Sequence, residues 1–494
     1  MIKLSGNTNF DCDVVIAGGG PAGASAAARL VDKGYSVVLV DRHTFPRDKV
    51  CGDFVGPAGL AELAALGISG LDEFRTSNLI HSAALFLDGK TLIEQPLPIV
   101  EGLPAHGRVI PRITLDHWLW QAALARGAQP LQGHKVESYE SHADGISIKL
   151  TGGKTKSLRA RLLLAADGSA SAIARQLSGE KPDRRDRIVA VRAYYENVSG
   201  PMDRCDLLFC GDSFPGYYWL FPTGPKTANV GLGMVLETLP PTTSRLADLL
   251  DELVQRDPVL QERLGSARQV GTTVGWPLMT YNRARPVIAN RLLLLGDAAG
   301  LINPINGEGI QYALESGRWA ADAASRALAA DRLDVAGLAG YETVLRERMD
   351  YDMALAGLIV TVIRNRTLNP LWLAALKLIC ARARRDPIYA ELAGGILAGL
   401  TPAKNAISMR MILGTMEQAA VSLGIGVAKT MIVSRGGLSE AGRSIARQSA
   451  AMIDVSAGDP RGFGRWSLDV ASSGARLASE VGKGLIAQSS RSIM

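Results

Sequence analysis

Cysteine is scarce in this chain. Five residues, Cys12, Cys51, Cys205, Cys210 and Cys380, are scattered over 494 positions. No two have metal-ligand spacing, so a zinc site and a disulfide framework are excluded by pattern, and a reducing compartment is expected. Cys205 and Cys210 lie close enough in sequence to face each other across a turn; ordinary buried thiols are the other reading. Long apolar runs are missing as well. Residues 353–363 form a continuous run, but Arg364 and Arg366 end it after 11 residues, and residues 371–379 are broken by Lys377. A bilayer span needs about 20, so these read as core or interfacial helices. Residues 1–10 lack the apolar stretch of a signal peptide, which makes a cytoplasmic protein the expectation. No internal repeat is present.

What remains is globular: 47% hydrophobic and 21% charged residues, with a length that implies two or three domains. The net charge of +6 is unevenly placed, because residues 381–494 carry 14 Lys and Arg against 8 Asp and Glu and the first 380 balance. A basic tail on a neutral body suits an anionic membrane surface better than nucleic-acid reading, the bland alternative being a solvated face. No nucleic-acid partner and no metal are expected.

Residues 13–16 form a short apolar strand, 24–33 a helix of small residues ended by Gly34, and 36–40 a second buried strand closed by Asp41. This is a β-α-β unit of the length a parallel crossover needs. Residues 81–104 and 186–284 are different: alternating patterns, as also in 134–150, and aromatic-rich runs such as 189–196 predict a mixed sheet forming a second domain. From 346 onward helix formers dominate, and the last forty residues, rich in Ser, Gly, Ala and Arg, are expected to be loosely ordered. The first domain is then discontinuous, over 1–80, 105–185 and 285–345.

The chemistry begins at Gly18-Gly19-Gly20-Pro21-Ala22-Gly23. It supplies Gly18-x-Gly20-x-x-Gly23 immediately after a strand and at the opening of a helix. Gly18 permits the turn, Gly20 lets a pyrophosphate approach the backbone, and Gly23 allows close helix-strand packing. Asp41, at the end of the second strand, is placed to accept from ribose hydroxyls, with Arg42 beside it. Two further strands run into Asp167-Gly168-Ser169 and into Gly296-Asp297-Ala298-Ala299-Gly300, followed by Gly307-Glu308-Gly309-Ile310. Asp297 is expected at a ribityl or ribose hydroxyl. Gly307 and Gly309 are expected to offer backbone amides at a helix start to the negative charge of a reduced flavin.

Together these segments resemble the flavoprotein family of aromatic hydroxylases, flavin halogenases and geranylgeranyl reductases over residues 11–345. The resemblance implies an α/β fold: a Rossmann-like FAD-binding domain, a β-rich substrate domain as in p-hydroxybenzoate hydroxylase, and here a mainly helical C-terminal region. By motif, Arg112 in Pro111-Arg112-Ile113-Thr114-Leu115-Asp116 corresponds to the family's arginine near the FAD phosphates and ring edge. Lys49-Val50-Cys51-Gly52 and Tyr217-Tyr218-Trp219-Leu220-Phe221-Pro222, the latter followed by Asn229-Val230-Gly231-Leu232-Gly233, are similar to segments of the geranylgeranyl reductases. Halogenases carry Trp-x-Trp-x-Ile-Pro where this chain has Tyr217, Trp219 and Phe221.

The resemblance implies reduction of isolated C=C bonds in a hydrophobic prenyl or lipid-like substrate, by hydride from reduced flavin with a proton delivered opposite. Cys51, Tyr217 and Tyr218 are the candidate donors or water-positioning groups, with Trp219 in the cavity wall, and Gly52 and Cys51 beside the flavin. A small buried thiol and a sheet-core aromatic cluster are the structural alternatives. No second fingerprint serves a nicotinamide; Gly394–Gly399 has no strand before it. The reductant is therefore NAD(P)H docked transiently or a partner electron carrier. The other readings are a flavin monooxygenase or halogenase acting on a natural-product intermediate, and a non-catalytic flavin protein held at a membrane by its tail. Peripheral contact with the inner face of the membrane is a further expectation; oligomeric state is left open.

Overall fold

A computed structural model describes residues 9–179, 183–240, 245–397, 399 and 459–491. The chain divides into two compact units, Met1–Asp350 and Tyr351–Met494.

The first unit is built on a sheet whose central strand is Cys12–Ala17. It pairs in parallel with Val37–Asp41 on one side and Ser157–Ala165 on the other, and the latter pairs in parallel with Leu292–Leu294. Nearly every side chain of these strands is buried. They read as continuous apolar runs because both faces of the sheet are covered. The crossover helix Pro21–Asp32 begins with proline at its first turn and stops at Gly34, whose φ of +88° is left-handed. Parallel strands end at one edge of a sheet, so the segments after Ala17, Asp41, Ala165 and Leu294 meet there. The segments after Ala17, Ala165 and Leu294 are the three fingerprints.

The hairpin Lys135–Ser141 and Ile146–Thr151 joins this same sheet, with Ile146 to Lys149 antiparallel to Ser157–Ala160. The alternating pattern at 134–150 therefore lies in the first sheet, inside the 105–185 segment given to the first domain. Alternation reports one covered face and does not say which sheet covers it.

The second sheet has seven strands, ordered Arg268–Met279, Arg187–Glu196, Thr227–Val235, Tyr217–Gly224, Arg204–Phe209, Ser82–Leu87 and Lys90–Pro96. All neighbours are antiparallel except Arg204–Phe209 with Ser82–Leu87. Helices Leu246–Arg256 and Pro258–Leu264 cover one face, and their leucines share a core with Tyr218, Leu220, Val230 and Leu232. The opposite face gathers Tyr217, Trp219 and Phe221 with Ile80, Leu97, Val109 and Cys205. All five cysteines are free thiols; Cys205 lies in this apolar cluster and Cys210 sits against Ser213.

In the second unit, Asn369–Ala383 and Pro387–Leu397 are helices, and so is Pro460–Arg491. The last is a correction: the tail rich in Ser, Gly, Ala and Arg is ordered as a 32-residue helix. Trp466 donates its indole N–H to the Thr361 carbonyl at 2.9 Å and Arg364 pairs with Asp469. Tertiary contacts override weak propensity here. Gly394 and Gly395 lie inside the helix Pro387–Leu397. Among the described residues no helix is long and apolar enough to cross a membrane.

Candidate flavin and substrate site

The glycine loop explains itself atom by atom. A Cβ on Gly18, whose φ is +99°, would lie 2.2 Å from the Ala166 carbonyl oxygen, and one on Gly23 would lie 1.9 Å from the Gly18 carbonyl oxygen. Those glycines serve the fold. Gly20 is different: a Cβ there would meet only the Arg47 guanidinium, at 3.4 Å. The space above Gly20 is open, the helix start beside it has no side-chain cap, and its first turn holds no acid. Free amides, a helix dipole and an arginine facing an open space make an anion cradle. The residues present thus fit the pyrophosphate of a dinucleotide.

The other two fingerprints close on this loop. Gly18 abuts Ala166 and Asp167, and Gly296 packs against Ala22. Asp167 accepts the Ala172 amide at 3.1 Å through Oδ2, while its Oδ1 is buried without a partner, and burial raises its carboxyl above the ordinary range. Asp297 accepts from Lys49 Nζ at 2.9 Å and from Ser169 Oγ at 3.1 Å. Burial pushes Asp297 upward, but the Lys49 charge and hydrogen bond prevail and hold it below the usual carboxylate range. Lys49 also lies 4.0 Å from a Cβ position on Gly168.

Asp41 is where the sequence puts it, yet it already has work. Its Oδ2 accepts the Gly19 amide at 2.8 Å and its Oδ1 the His43 amide at 2.8 Å. A carboxylate has about four lone-pair sites, so it can hold the loop and still accept from a ribose. Arg42 turns to His43, donating to its Nε2 at 3.0 Å, and lies over the Trp276 ring at 5.6 Å.

Arg112 opens the helix Arg112–Arg126 and grips Asp116, one turn on, through Nε at 2.7 Å and Nη2 at 2.8 Å. Arg47 reaches the same carboxylate at 2.6 Å and lies over Phe45, whose ring stacks on Trp120 at 4.3 Å. Burial raises Asp116 and the two arginines outweigh it, so the carboxyl stays ionised. Arg47 and Asp116 are part of the site that sequence reasoning passed over. Asp116 ends the quoted Arg112 segment and Arg47 lies two residues before Lys49, and the four-residue step from Arg112 to Asp116 is a helical pairing signal.

Gly307 and Gly309 require a correction. The Gly307 amide is bonded to the Asn303 carbonyl at 3.0 Å. The start of helix Ile310–Ala329 is served by Glu308, whose carboxylate accepts the Gln311 amide at 3.0 Å with the Ile310 and Gly309 amides also directed at it. Internal partners therefore take the amides expected to face a flavin. Ile310 is buried at the first helical position.

The Cys51–Gly52 turn presses on the aromatic wall: a Cβ on Gly52 would come within 3.1 Å of Phe221 and 3.6 Å of Trp219. Trp219 and Phe221 rings lie 6.0 Å apart at 29°, and Tyr217 lies 6.0 Å from Trp219 on the same face. Burial drives the Cys51 thiol above its ordinary range, and the neighbouring Arg112 only moderates the rise, so the thiol keeps its proton at neutral pH. Tyr217 is likewise raised by burial, and its hydroxyl donates to the Asn306 carbonyl at 2.5 Å.

Tyr218 is on the other side of the sheet. It is fully buried, and its hydroxyl donates to Asp257 at 2.6 Å. Side chains alternate along a strand, so Tyr217 and Tyr218 cannot both face the site, and Tyr218 is removed from the candidate donors.

A buried acid behind the turn completes the picture. Asp53, left-handed at φ 64°, accepts from Tyr194 at 2.6 Å, from Asn229 at 2.8 Å and from the Arg112 amide at 3.3 Å. Burial raises it to about 6 against those donors.

Comparison with known proteins agrees with this geometry. The family model described as an FAD binding domain matches residues 11–321. A menaquinone reductase of Mycobacterium tuberculosis is 33% identical over 317 residues, covering 63% of this chain and 76% of the relative. A geranylgeranyl diphosphate reductase of Rhodobacter capsulatus is 30% identical over 324 residues, covering 63% and 74%. The solved structure of a geranylgeranyl bacteriochlorophyll reductase-like protein from Thermoplasma acidophilum superposes with a TM-score of 0.63 at 24% identity, over 70% of this chain and 86% of that one. With its glycine cradle open to a pyrophosphate and its three fingerprints converging on one sheet edge, the chain belongs to the FAD-binding flavoprotein family of the geranylgeranyl reductases and is an FAD-dependent oxidoreductase.

Proposed function

We propose that the protein saturates isolated C=C bonds in the prenyl chain of a lipid-like substrate. Menaquinone and geranylgeranyl diphosphate, named for two of its relatives, share an isoprenoid chain and little else. The observation that carries the reading is the half-buried Cys51 thiol on a turn packed against Trp219 and Phe221.

An isolated alkene accepts a hydride only if a proton reaches its other carbon. Bound FAD, once reduced by NAD(P)H or a partner electron carrier, would supply the hydride. The chain must then hold the alkene in a dry slot and present an acid. The Trp219–Phe221 wall excludes water. Cys51 is the better donor, because the Tyr217 proton is already given to the Asn306 carbonyl. Arg112, beside the thiol, offsets the charge left on sulfur when the proton departs.

Anaerobic incubation with dithionite and either a prenylated menaquinone or geranylgeranyl diphosphate tests this. The expected product is two mass units heavier per bond reduced and keeps that mass in air. A mass gain that air reverses marks reduction of the quinone ring instead, and no air-stable gain with either compound refutes the proposal.

A further inference from the structure

Asn229 joins the two walls of the site. Its side chain is fully buried on strand Thr227–Val235. Its Oδ1 accepts the Trp219 indole N–H at 2.9 Å. Its Nδ2 donates to the Cys51 carbonyl at 2.7 Å and to Asp53 Oδ2 at 2.8 Å. An indole can only donate, and a carbonyl and a carboxylate can only accept. The orientation of the amide is therefore fixed by its neighbours, and both its donors and its acceptor are used.

The next residue on the same face supports the arrangement independently. A Cβ on Gly231 would lie 2.2 Å from Trp219 Cζ2 and 2.5 Å from the Val191 carbonyl oxygen. The strand thus leaves a bare step on which the indole lies, and Asn229 holds its edge.

We propose that Asn229 is a positioning residue that sets the distance between the Cys51–Gly52 turn and the Trp219 wall. The proposal rests on the reading of those two elements as the walls of the reduction site. Leucine at 229 matches the volume but leaves the indole donor and the Cys51 carbonyl buried and unpaired, which costs more than the net value of the bonds. Alanine at 231 acts from the other side: its methyl group meets both the indole and the Val191 carbonyl oxygen, so it displaces the indole together with a shift of the paired strand.

The test uses FAD-loaded protein and iodoacetamide, with labelling followed by mass at Cys51 and, as an internal control, at Cys12 in the central strand. Loss of one buried hydrogen bond shifts a local opening by about fivefold. Asn229→Leu and Gly231→Ala should each label at Cys51 about fivefold faster or more, with Cys12 unchanged, and the double variant no faster than Asn229→Leu. Asn229→Asp gives a signature that a mere filler would not. When protonated, its carboxyl accepts from the indole but donates only one of the two bonds the amide gave, so its Cys51 rate should stand about fivefold above wild type at acid pH and climb further as the carboxyl ionises against Asp53. Wild-type Cys51 rates in both single variants would overturn the proposal. So would a parallel rise at Cys12, which would make Asn229 a general prop of the fold. No substrate is involved, so this outcome is independent of whether prenyl chains are reduced.

Discussion

Gly20→Ala separates the fold from the cofactor. Gly20 has φ −75° and ψ −171°, extended backbone that any residue adopts, and a Cβ there meets only the far end of Arg47 at 3.4 Å. The protein without cofactor should therefore fold. Replacing glycine by alanine at a helix N-cap costs about 1 kcal/mol, a shift of a few degrees at most in a chain of this size. The added methyl group instead occupies the space a phosphate must enter. Loss of one charge-assisted amide contact is worth about 1.5–3 kcal/mol, which corresponds to about a tenfold to hundredfold loss of FAD affinity. FAD fluorescence quenching measures the affinity and thermal melting of the stripped protein measures the fold. Gly23→Ala is the contrast: its Cβ would sit 1.9 Å from a backbone oxygen, so it should fail to fold. If Gly20→Ala binds FAD as tightly as wild type, the cradle is misassigned; a stripped protein that melts ten or more degrees lower would show that Gly20 serves packing instead.

Tyr218→Phe should lower stability by about 1–3 kcal/mol, because Asp257 loses a buried donor, while leaving kcat nearly unchanged; a large fall in kcat with intact stability would return Tyr218 to the site. Glu315 on helix Ile310–Ala329 is raised by burial and by Glu62 to about 7. A carboxyl raised on folding contributes stability below its unfolded value near 4.5 and loses it as pH rises through 7. Glu315→Gln should thus be more stable than wild type by up to about 3 kcal/mol at pH 8, and by nothing below pH 4. Denaturant melts across that range check the slope, and a stability difference that does not change with pH would refute it.

Much of the cofactor half was legible in the sequence for a physical reason. Gly18 and Gly23 stand where any side chain would strike a backbone oxygen, and strands covered on both faces must be apolar throughout. Such constraints are local, so order and spacing announced the β-α-β unit and laid out the segments whose resemblance to a flavoprotein family implied FAD. The pairing of Arg112 with Asp116 was available in the same way, from helical periodicity.

Tertiary structure decided what periodicity leaves open. Alternation says that Tyr217 and Tyr218 face opposite ways, but only helices Leu246–Arg256 and Pro258–Leu264, packed on one side, determine that Tyr218 belongs to the core. Glu308 capping its own helix and the 32-residue helix at the C-terminus likewise depend on which partners come within reach. Asn229 is the clearest case. Its partners Cys51 and Trp219 lie 178 and 10 residues away in sequence, and one amide can satisfy both only after the sheet has brought the turn against the aromatic wall.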